Sequence, residues 1–468
     1  MMKQVKEDLM SREHHPTTSS SFIIQHSYFF GWVLNAAYLA VILLALPWLL
    51  YQRFRHGKYR DGFRAKFFGD VPKRRGEKPC LWLHAVSVGE VNLLEPILKR
   101  WEARHPDWDV VISTTTQTGF TLAQKKYAPR QVIYCPLDFT WAVEAAIRGI
   151  RPTLFVLAEL ELWPNLISAA KRNGAQVAVI NGRLGEKSFR GYRRIKWLVQ
   201  RVLCQIDILA VQNEEYAERF LALGAAPACV PITGSIKFDG ARTDRQSPEI
   251  ERLTGLAGIA ANDVIFLAGS TQDPEESIAL SVFERLSTEH PQLKLVLVPR
   301  HPERFNDVAV LLDRSGISYQ RRSQLATGNW PLATDSPRIT LIDAVGELGH
   351  WWGLSKIAFV GGSLTNRGGQ NMIEPAAYGA AISFGPNTWN FRDVVTQFLS
   401  DEAAVVVTGE QELESFVRRC LADSDFAESL GRRAKELVLR QQGATDRTIE
   451  LLERLLAVSN QRNRDKAA

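Results

Sequence analysis

Carboxylates placed directly behind apolar runs are the groups in this sequence best suited to chemistry. The stretch Leu83-His84-Ala85-Val86-Ser87-Val88-Gly89-Glu90 carries an apolar run into the spacing S-x-x-E. The run predicts a buried strand, and the spacing predicts a capped helix start immediately after it. In an open α/β sheet, ligands bind beyond the carboxyl ends of the strands. A carboxylate there can take the proton of an attacking hydroxyl, as a glycosyl acceptor requires. Taken alone, Glu90 more commonly means the closing member of a capping box. A second pair, Glu159 and Glu161 in Glu-Leu-Glu-Leu-Trp-Pro-Asn, follows the apolar run 154–157. Neighbouring carboxylates behind a buried strand are costly unless paired or solvated, so a function or a basic partner is implied. Lys237, in Thr-Gly-Ser-Ile-Lys-Phe-Asp, falls where two halves of the chain join. A cation there can stabilise transition-state charge, although spacing alone favours a surface lysine.

The second half carries groups suited to an anion. Ser270 and Thr271 form a strand-to-helix turn, and Pro299-Arg300 follow another apolar run. An arginine in that place suits bidentate recognition of phosphate or carboxylate. Val345-Gly346-Glu347 end a further run, with Gly346 offering backbone N–H groups. The glycines of Val360-Gly361-Gly362-Ser363 and Arg367-Gly368-Gly369-Gln370-Asn371 let backbone approach a phosphate. Asn371-Met372-Ile373-Glu374 opens a helix whose free N–H groups favour negative charge. Glu374 can accept ribose hydroxyls, or close a capping box on Asn371.

These residues need a frame that gathers strand ends. From residue 79 the chain alternates short apolar runs with amphipathic segments, the pattern of strands and crossover helices. Expected strands are 80–86, 110–113, 132–135, 154–157, 176–180 and 208–211, then 264–268, 293–298, 338–342, 357–360, 381–383 and 404–407. A single long helix is expected over 423–459. At 468 residues the chain is too long for one core. The predicted fold is α/β, with two Rossmann-like domains facing a cleft, the plan of one large class of glycosyltransferases. The expected domains are 79–232 for the acceptor and 261–440 for a sugar nucleotide, joined by a linker at 233–260 and followed by a helix and tail at 441–468. No G-x-G-x-x-G follows a strand and no G-x-x-x-x-G-K-[ST] occurs, which disfavours dinucleotide and P-loop enzymes. The five cysteines include no C-x-x-C pair, which argues against a disulfide framework or zinc site and fits a reducing compartment.

Ahead of this body, residues 1–28 are polar and are expected to form a disordered tail. Residues 29–51 then run without a charge, long enough at about 1.5 Å per residue to cross a hydrocarbon core of roughly 30 Å. A single-pass transmembrane helix is expected there. The basic juxtamembrane segment 52–78 follows, with Arg53, Arg55, Lys58, Arg60, Arg64, Lys66, Lys73, Arg74 and Arg75. The positive-inside rule then places the rest of the chain in the cytoplasm. The same cations, interleaved with Tyr59, Phe63, Phe67 and Phe68, suit an anionic bilayer surface equally well. Arg183, Arg190, Arg193, Arg194, Lys196 and Arg201 form a second basic run, read either as a lipid-facing patch or as a solvated helix face.

In this order the motifs resemble the 3-deoxy-D-manno-octulosonic acid (Kdo) transferases of lipopolysaccharide synthesis. The matching stretches include residues 84–90, YCPLD at 134–138, ELELWPN at 159–165, NGRL at 181–184, TGSIKFD at 233–239, AGST at 268–271, VPRHPERF at 298–305, and 359–391 with its FVGGS and RGGQNMIEPAAYG. The resemblance covers residues 55 to 440. It implies a GT-B type, metal-independent, inverting transfer from CMP-Kdo to the lipid A precursor lipid IVA, with no cofactor. It gives Glu90 the role of general base, and Glu159 and Lys237 that of stabilising the transition state, with Glu159 preferred to Glu161. It places Ser270, Thr271, Pro299, Arg300, Val345, Gly346, Glu347, Asn371, Met372, Ile373 and Glu374 at CMP-Kdo. Expected partners are that donor, lipid IVA and the cytoplasmic face of the inner membrane, with no nucleic acid. Gln370 stands where the family usually has histidine, Leu160 replaces a threonine and Ser235 an asparagine. The alternatives are a two-domain glycosyltransferase with another sugar nucleotide, and a non-catalytic, membrane-tethered binding protein.

Overall fold

A computed structural model of the protein describes residues 20–56, 61–325 and 337–467. It comprises two units, Met1–Ile236 together with Gly443–Ala468, and Lys237–Gln442. Each is built on a parallel sheet with helices on both faces, which is why its strands read as unbroken apolar runs rather than alternating ones.

The first unit contains β1 (Cys80–His84), β2 (Asp109–Thr114), β3 (Gln131–Tyr134), β4 (Leu154–Ala158), β5 (Gln176–Gly182) and β6 (Ile208–Val211). Their order across the sheet is β3-β2-β1-β4-β5-β6. The winding therefore reverses between β1 and β4, the place where such sheets open a crevice at the strand ends. Trp82 and Phe155 point into the core on one face, while Leu81, Leu83 and Val156 point into the other.

The expected helix over 423–459 is in fact two, Ser424–Gln441 and Ala444–Ala467. Gly443 between them has φ 89°, a left-handed conformation that ends a helix. The second helix packs on the first unit, burying Ala444, Ile449 and Leu452 beside Leu94 and Ile97 of the helix Val88–Arg104. Burying each of Ile449 and Leu452 contributes about 1.5–3 kcal/mol. Glu453 adds polar contacts to Arg104 at 3.1 Å and His105 at 3.0 Å.

The second unit contains β7 (Val264–Thr271), β8 (Leu293–Pro299), β9 (Tyr319–Arg321), β10 (Ile339–Leu341), β11 (Ile357–Val360), β12 (Ala381–Phe384) and β13 (Val405–Val406). The order is β13-β12-β11-β7-β8-β10-β9. Strand β9, absent from the expected set, is a three-residue edge strand whose Gln and Arg hide any apolar pattern. Within the stretch expected as linker, Thr233 still bonds to β6 through Val211. The helix Pro248–Leu256 buries Ile250 and Leu253 in the second unit's core.

At the N-terminus Ser20–His56 form one helix, which begins inside the stretch expected as tail; residues 1–19 lie outside the described residues. Its segment Phe30–Arg55 has mean hydropathy 2.2 and is only 6% buried, so it is long and apolar enough to cross a membrane. Asn35 and Tyr38 on this helix bond to Thr140 and Asp138 of the globular unit. Lys58, Tyr59 and Arg60 of the basic segment lie outside the described residues. Arg74 is a structural strut rather than a lipid-facing cation. Its Nη1 lies 2.7 Å from Asp109 Oδ2, and its Nε donates to the Ile150 carbonyl.

Candidate active site

Both units present their chemistry at the carboxyl ends of strands. In the first, β1 runs through Ala85-Val86 into the helix Val88–Arg104, with Ser87 as N-cap in extended conformation. Ser87 Oγ accepts the Glu90 N–H at 3.4 Å and donates to Glu90 Oε1 at 2.9 Å. Glu90 Oε2 accepts the Val86 N–H at 2.8 Å. The helix start is therefore capped by Ser87, with the glutamate reaching back to the Val86 N–H and the Ser87 hydroxyl rather than to the N-cap N–H, and these bonds fix the Glu90 carboxylate over the end of β1. Each oxygen keeps a lone pair for a further partner.

Glu159 follows β4 with φ 57°, and Asn181 near the end of β5 has φ 54°. Left-handed backbone at a non-glycine residue costs about 1–3 kcal/mol and persists only where surrounding bonds enforce it. Here the Glu159 N–H donates to the Ile180 carbonyl at 2.9 Å, and Asn181 Oδ1 accepts the Ile236 N–H at 3.0 Å. Arg183 Nε lies 3.8 Å from Glu159 Oε2. Glu161 is pushed up to about 7, first by burial and then by the charges of Glu90 and Glu159. Burial and the Glu159 charge also raise Glu90, against the N–H and hydroxyl donors that pull it down. Glu90, Glu159 and Glu161 thus form one electrostatic cluster, so neither member of the 159/161 pair stands apart from Glu90. Lys237, in the turn Ile236–Phe238, belongs to the second unit.

In the second unit β11, β7, β8 and β10 are adjacent, so the turns behind them share one edge. Ser270 has φ 55°. Thr271 is buried and its Oγ1 points at the Val298 carbonyl. Arg300 behind Pro299 is exposed, its N–H bonded to the Thr271 carbonyl. Val345 is 77% exposed and Gly346 has φ 93°. The Glu347 carboxylate is already engaged, because Arg322 holds both its oxygens at 2.8 Å. Asn371 accepts the Ile373 N–H and donates to Glu374 Oε1. Met372 and Ile373 are buried core residues, backbone included, so they stand behind the site rather than facing a ligand. Burial raises Glu374, while Asn371, Arg242 and Arg300 pull it down.

One expected role is overturned. The turn Gly361-Gly362-Ser363 does not offer its N–H groups to a phosphate. The buried Glu275 takes them, with Oε2 accepting from Gly362 at 2.7 Å and Oε1 from Ser363 at 2.9 Å and Leu364 at 3.0 Å. It also accepts the Gln272 N–H at 2.9 Å. Gly361 is needed there because a Cβ would sit 2.6 Å from Thr271 Cα. Sequence reading missed Glu275 and Arg322. Both look like surface charges in helical segments, and only their burial reveals them.

Two parallel-sheet α/β units define a GT-B-like fold. Solved structures of this fold include a glycosyltransferase from Rickettsia africae ESF-5, 12% identical over 81% of this chain and 99% of that one with TM-score 0.51. Another is UDP-GlcNAc 2-epimerase from Neisseria meningitidis, also 12% identical, over 80% of this chain and 100% of that one with TM-score 0.52. Residues 61–240 match the family model described as 3-deoxy-D-manno-octulosonic-acid transferase (kdotransferase). The 3-deoxy-D-manno-octulosonic acid transferase of Haemophilus influenzae is 31% identical over 425 residues, covering 89% of this chain and 97% of the relative. That of Chlamydia muridarum is 29% identical, covering 90% and 97%. The chain belongs to the 3-deoxy-D-manno-octulosonic acid transferase family.

Proposed function

We propose that this glycosyltransferase moves Kdo from CMP-Kdo to a hydroxyl of lipid IVA, inverting the anomeric carbon, with Glu90 as general base. The observation that carries the reading is the Glu90 carboxylate. It is fixed at the end of β1 by Val86 and Ser87 and raised by burial and Glu159, in a chain that belongs to a Kdo transferase family. A base is most effective when its pKa approaches the working pH, and both influences act in that direction. The acceptor oxygen attacks the anomeric carbon as Glu90 takes its proton. The bond from that carbon to the phosphate oxygen breaks, and CMP leaves with the electron pair.

Glu159 and Lys237 are assigned to charge stabilisation. The donor is assigned to the strand-end turns of the second unit. There Arg300 is the cation for phosphate or sugar carboxylate, supported by Ser270, Thr271 and Pro299. Val345, Gly346 and Asn371 contribute backbone, Asn371 also a side-chain amide, Met372 and Ile373 support that turn from the core, and Glu374 receives ribose hydroxyls. Glu347 acts by holding Arg322 rather than by touching the donor. The apolar N-terminal helix holds the protein at the cytoplasmic face of the inner membrane, where a lipid acceptor is presented.

The test is transfer by membrane-reconstituted protein from freshly made CMP-Kdo to lipid IVA, with products weighed by mass spectrometry. A gain of one or more Kdo masses together with acceptor-dependent CMP release is expected. Folded protein that binds CMP but leaves lipid IVA unchanged would refute the acceptor. Folded protein that does not bind CMP would refute the donor.

A further inference from the structure

The apolar helix is bound to its own globular unit through Phe30, Asn35 and Tyr38. Phe30 meets Trp197 edge-on at 6.3 Å, with the Arg201 guanidinium 5.4 Å from its ring. Asn35 and Thr140 exchange two hydrogen bonds. Nδ2 donates to the hydroxyl at 2.7 Å, and Oδ1 accepts the Thr140 N–H at 3.1 Å. The Tyr38 hydroxyl donates to Asp138 Oδ2 at 3.0 Å, and its ring packs on Phe139 at 6.0 Å. Asp138 in turn accepts the N–H groups of Asn165 and Leu166. The helix is thereby tied to the start of Pro164–Arg172, next to Glu161. Gly31, Asn35, Tyr38, Ile42, Ala45, Leu49 and Gln52 are among the shielded positions, and they share one face of a helix at this spacing.

Past the helix the chain returns to the same place. Gln117 donates to Asp61, the Lys66 ammonium lies 4.3 Å over the Tyr134 ring, and Phe67 stacks on Phe139 at 6.4 Å. One ring, Phe139, is thus flanked by Tyr38 early in the apolar run and by Phe67 after it.

A helix crossing the bilayer with residues 29–51 in the hydrocarbon would put Tyr38 about 14 Å deep, near the middle of a core of roughly 30 Å. Asp138, Thr140 and the helix start they adjoin would be drawn in with it. A charge at that depth costs at least about 2.5 kcal/mol. Residues 61–67 would also have to re-enter the hydrocarbon for Phe67 to reach Phe139.

We propose that the helix lies in the plane of the membrane surface, with both its ends on the side of the globular unit, and does not cross. Its outward residues Leu43, Leu44, Trp48 and Phe54, 54–84% exposed, then sink among acyl chains. Arg53 and Arg55 meet anionic headgroups. The Asn35–Thr140 and Tyr38–Asp138 bonds fix the height of the carboxylate-bearing edge above the lipid. This replaces the single-pass arrangement expected from the charge distribution, because the positive-inside rule orients only a segment that crosses.

The experiment uses the wild-type chain with one protease-cleavable tag at each end, in right-side-out and inverted vesicles of the expressing bacterium. Both tags are expected to be cut in inverted vesicles and spared in right-side-out ones, and both to be cut after detergent. An N-terminal tag cut from the outside, with the C-terminal tag cut only in inverted vesicles, would overturn the proposal. A second arm floats the purified chain with phosphatidylethanolamine–phosphatidylglycerol vesicles. Co-flotation is expected, lost in the Leu43→Asp, Leu44→Asp variant, and a wild-type chain that stays at the bottom would also overturn it. Neither arm measures sugar transfer, so the outcome is independent of the proposed reaction.

Discussion

Replacing Glu90 by Gln separates its two roles, because the structure asks different things of each. As a cap, the side chain accepts the Val86 N–H at 2.8 Å and the Ser87 hydroxyl at 2.9 Å. A glutamine keeps the first bond through its carbonyl and can donate to Ser87 Oγ through its amide. Stability of the folded chain should therefore change by less than about 1 kcal/mol. As a base, glutamine accepts no proton. General-base assistance contributes about 10²–10⁴-fold, or roughly 2.7–5.5 kcal/mol of barrier. The assay is initial-rate Kdo transfer beside CMP binding by calorimetry and thermal unfolding of the same preparation. The expected pattern is kcat lower by at least about a hundredfold, with CMP affinity and Tm near wild type. Ser87→Ala is the control. It should lose about 1 kcal/mol of stability through the cap while retaining most of its turnover. A Glu90→Gln enzyme that turns over within about tenfold of wild type would refute the assignment, leaving Glu90 as a cap alone.

Other expectations follow from the same geometry. Glu161 lies at about 7, above the ordinary carboxylate range, so its neutral form is favoured in the folded chain. The stability this contributes is fully present below the ordinary range and lost as pH rises towards 7. Asp138, pushed up to about 7 by burial, acts with the same sign, so Tm should fall from about pH 5 to about pH 7 and level off above it, and Glu161→Gln should remove roughly half of that slope. A wild-type Tm that rises over this range would contradict the burial of both groups. Glu275→Ala leaves the N–H groups of Gln272, Gly362, Ser363 and Leu364 without their acceptor. Denaturant unfolding should show a loss of at least about 3 kcal/mol, and a loss below about 1 kcal/mol would mean that water replaces it. Arg300→Ala should weaken CMP binding by about 10–100-fold without lowering Tm, the worth of a charge-assisted bond at an exposed site. Unchanged affinity would move the anion contact elsewhere.

Much of this was legible along the chain because it is local. Parallel strands buried on both faces are apolar throughout, so every strand but the polar edge strand β9 shows in the residue order. The capping of Glu90 by Ser87 spans three residues, and a local rule predicts it. The carboxylates of Glu159 and Glu161 follow their strand directly, and sheet order then brings them to Glu90 because β4 lies beside β1.

What only the tertiary structure decided involves partners distant in sequence. Glu275 fills the glycine turn at 361–364, and Arg322 occupies Glu347. Nothing near any of these residues in the chain signals the pairing. The C-terminal helix returns to the first unit after Gly443, because a left-handed residue redirects a pattern that otherwise reads as continuous. The apolar N-terminal run shows the division most clearly. Its composition determined that it is long and apolar enough to cross a membrane, whereas its bonds through Asn35 and Tyr38 to residues 138–140 decided how it is held on its own globular unit. Hydropathy is a property of a segment, but its orientation depends on contacts across about a hundred residues, which the fold alone brings together.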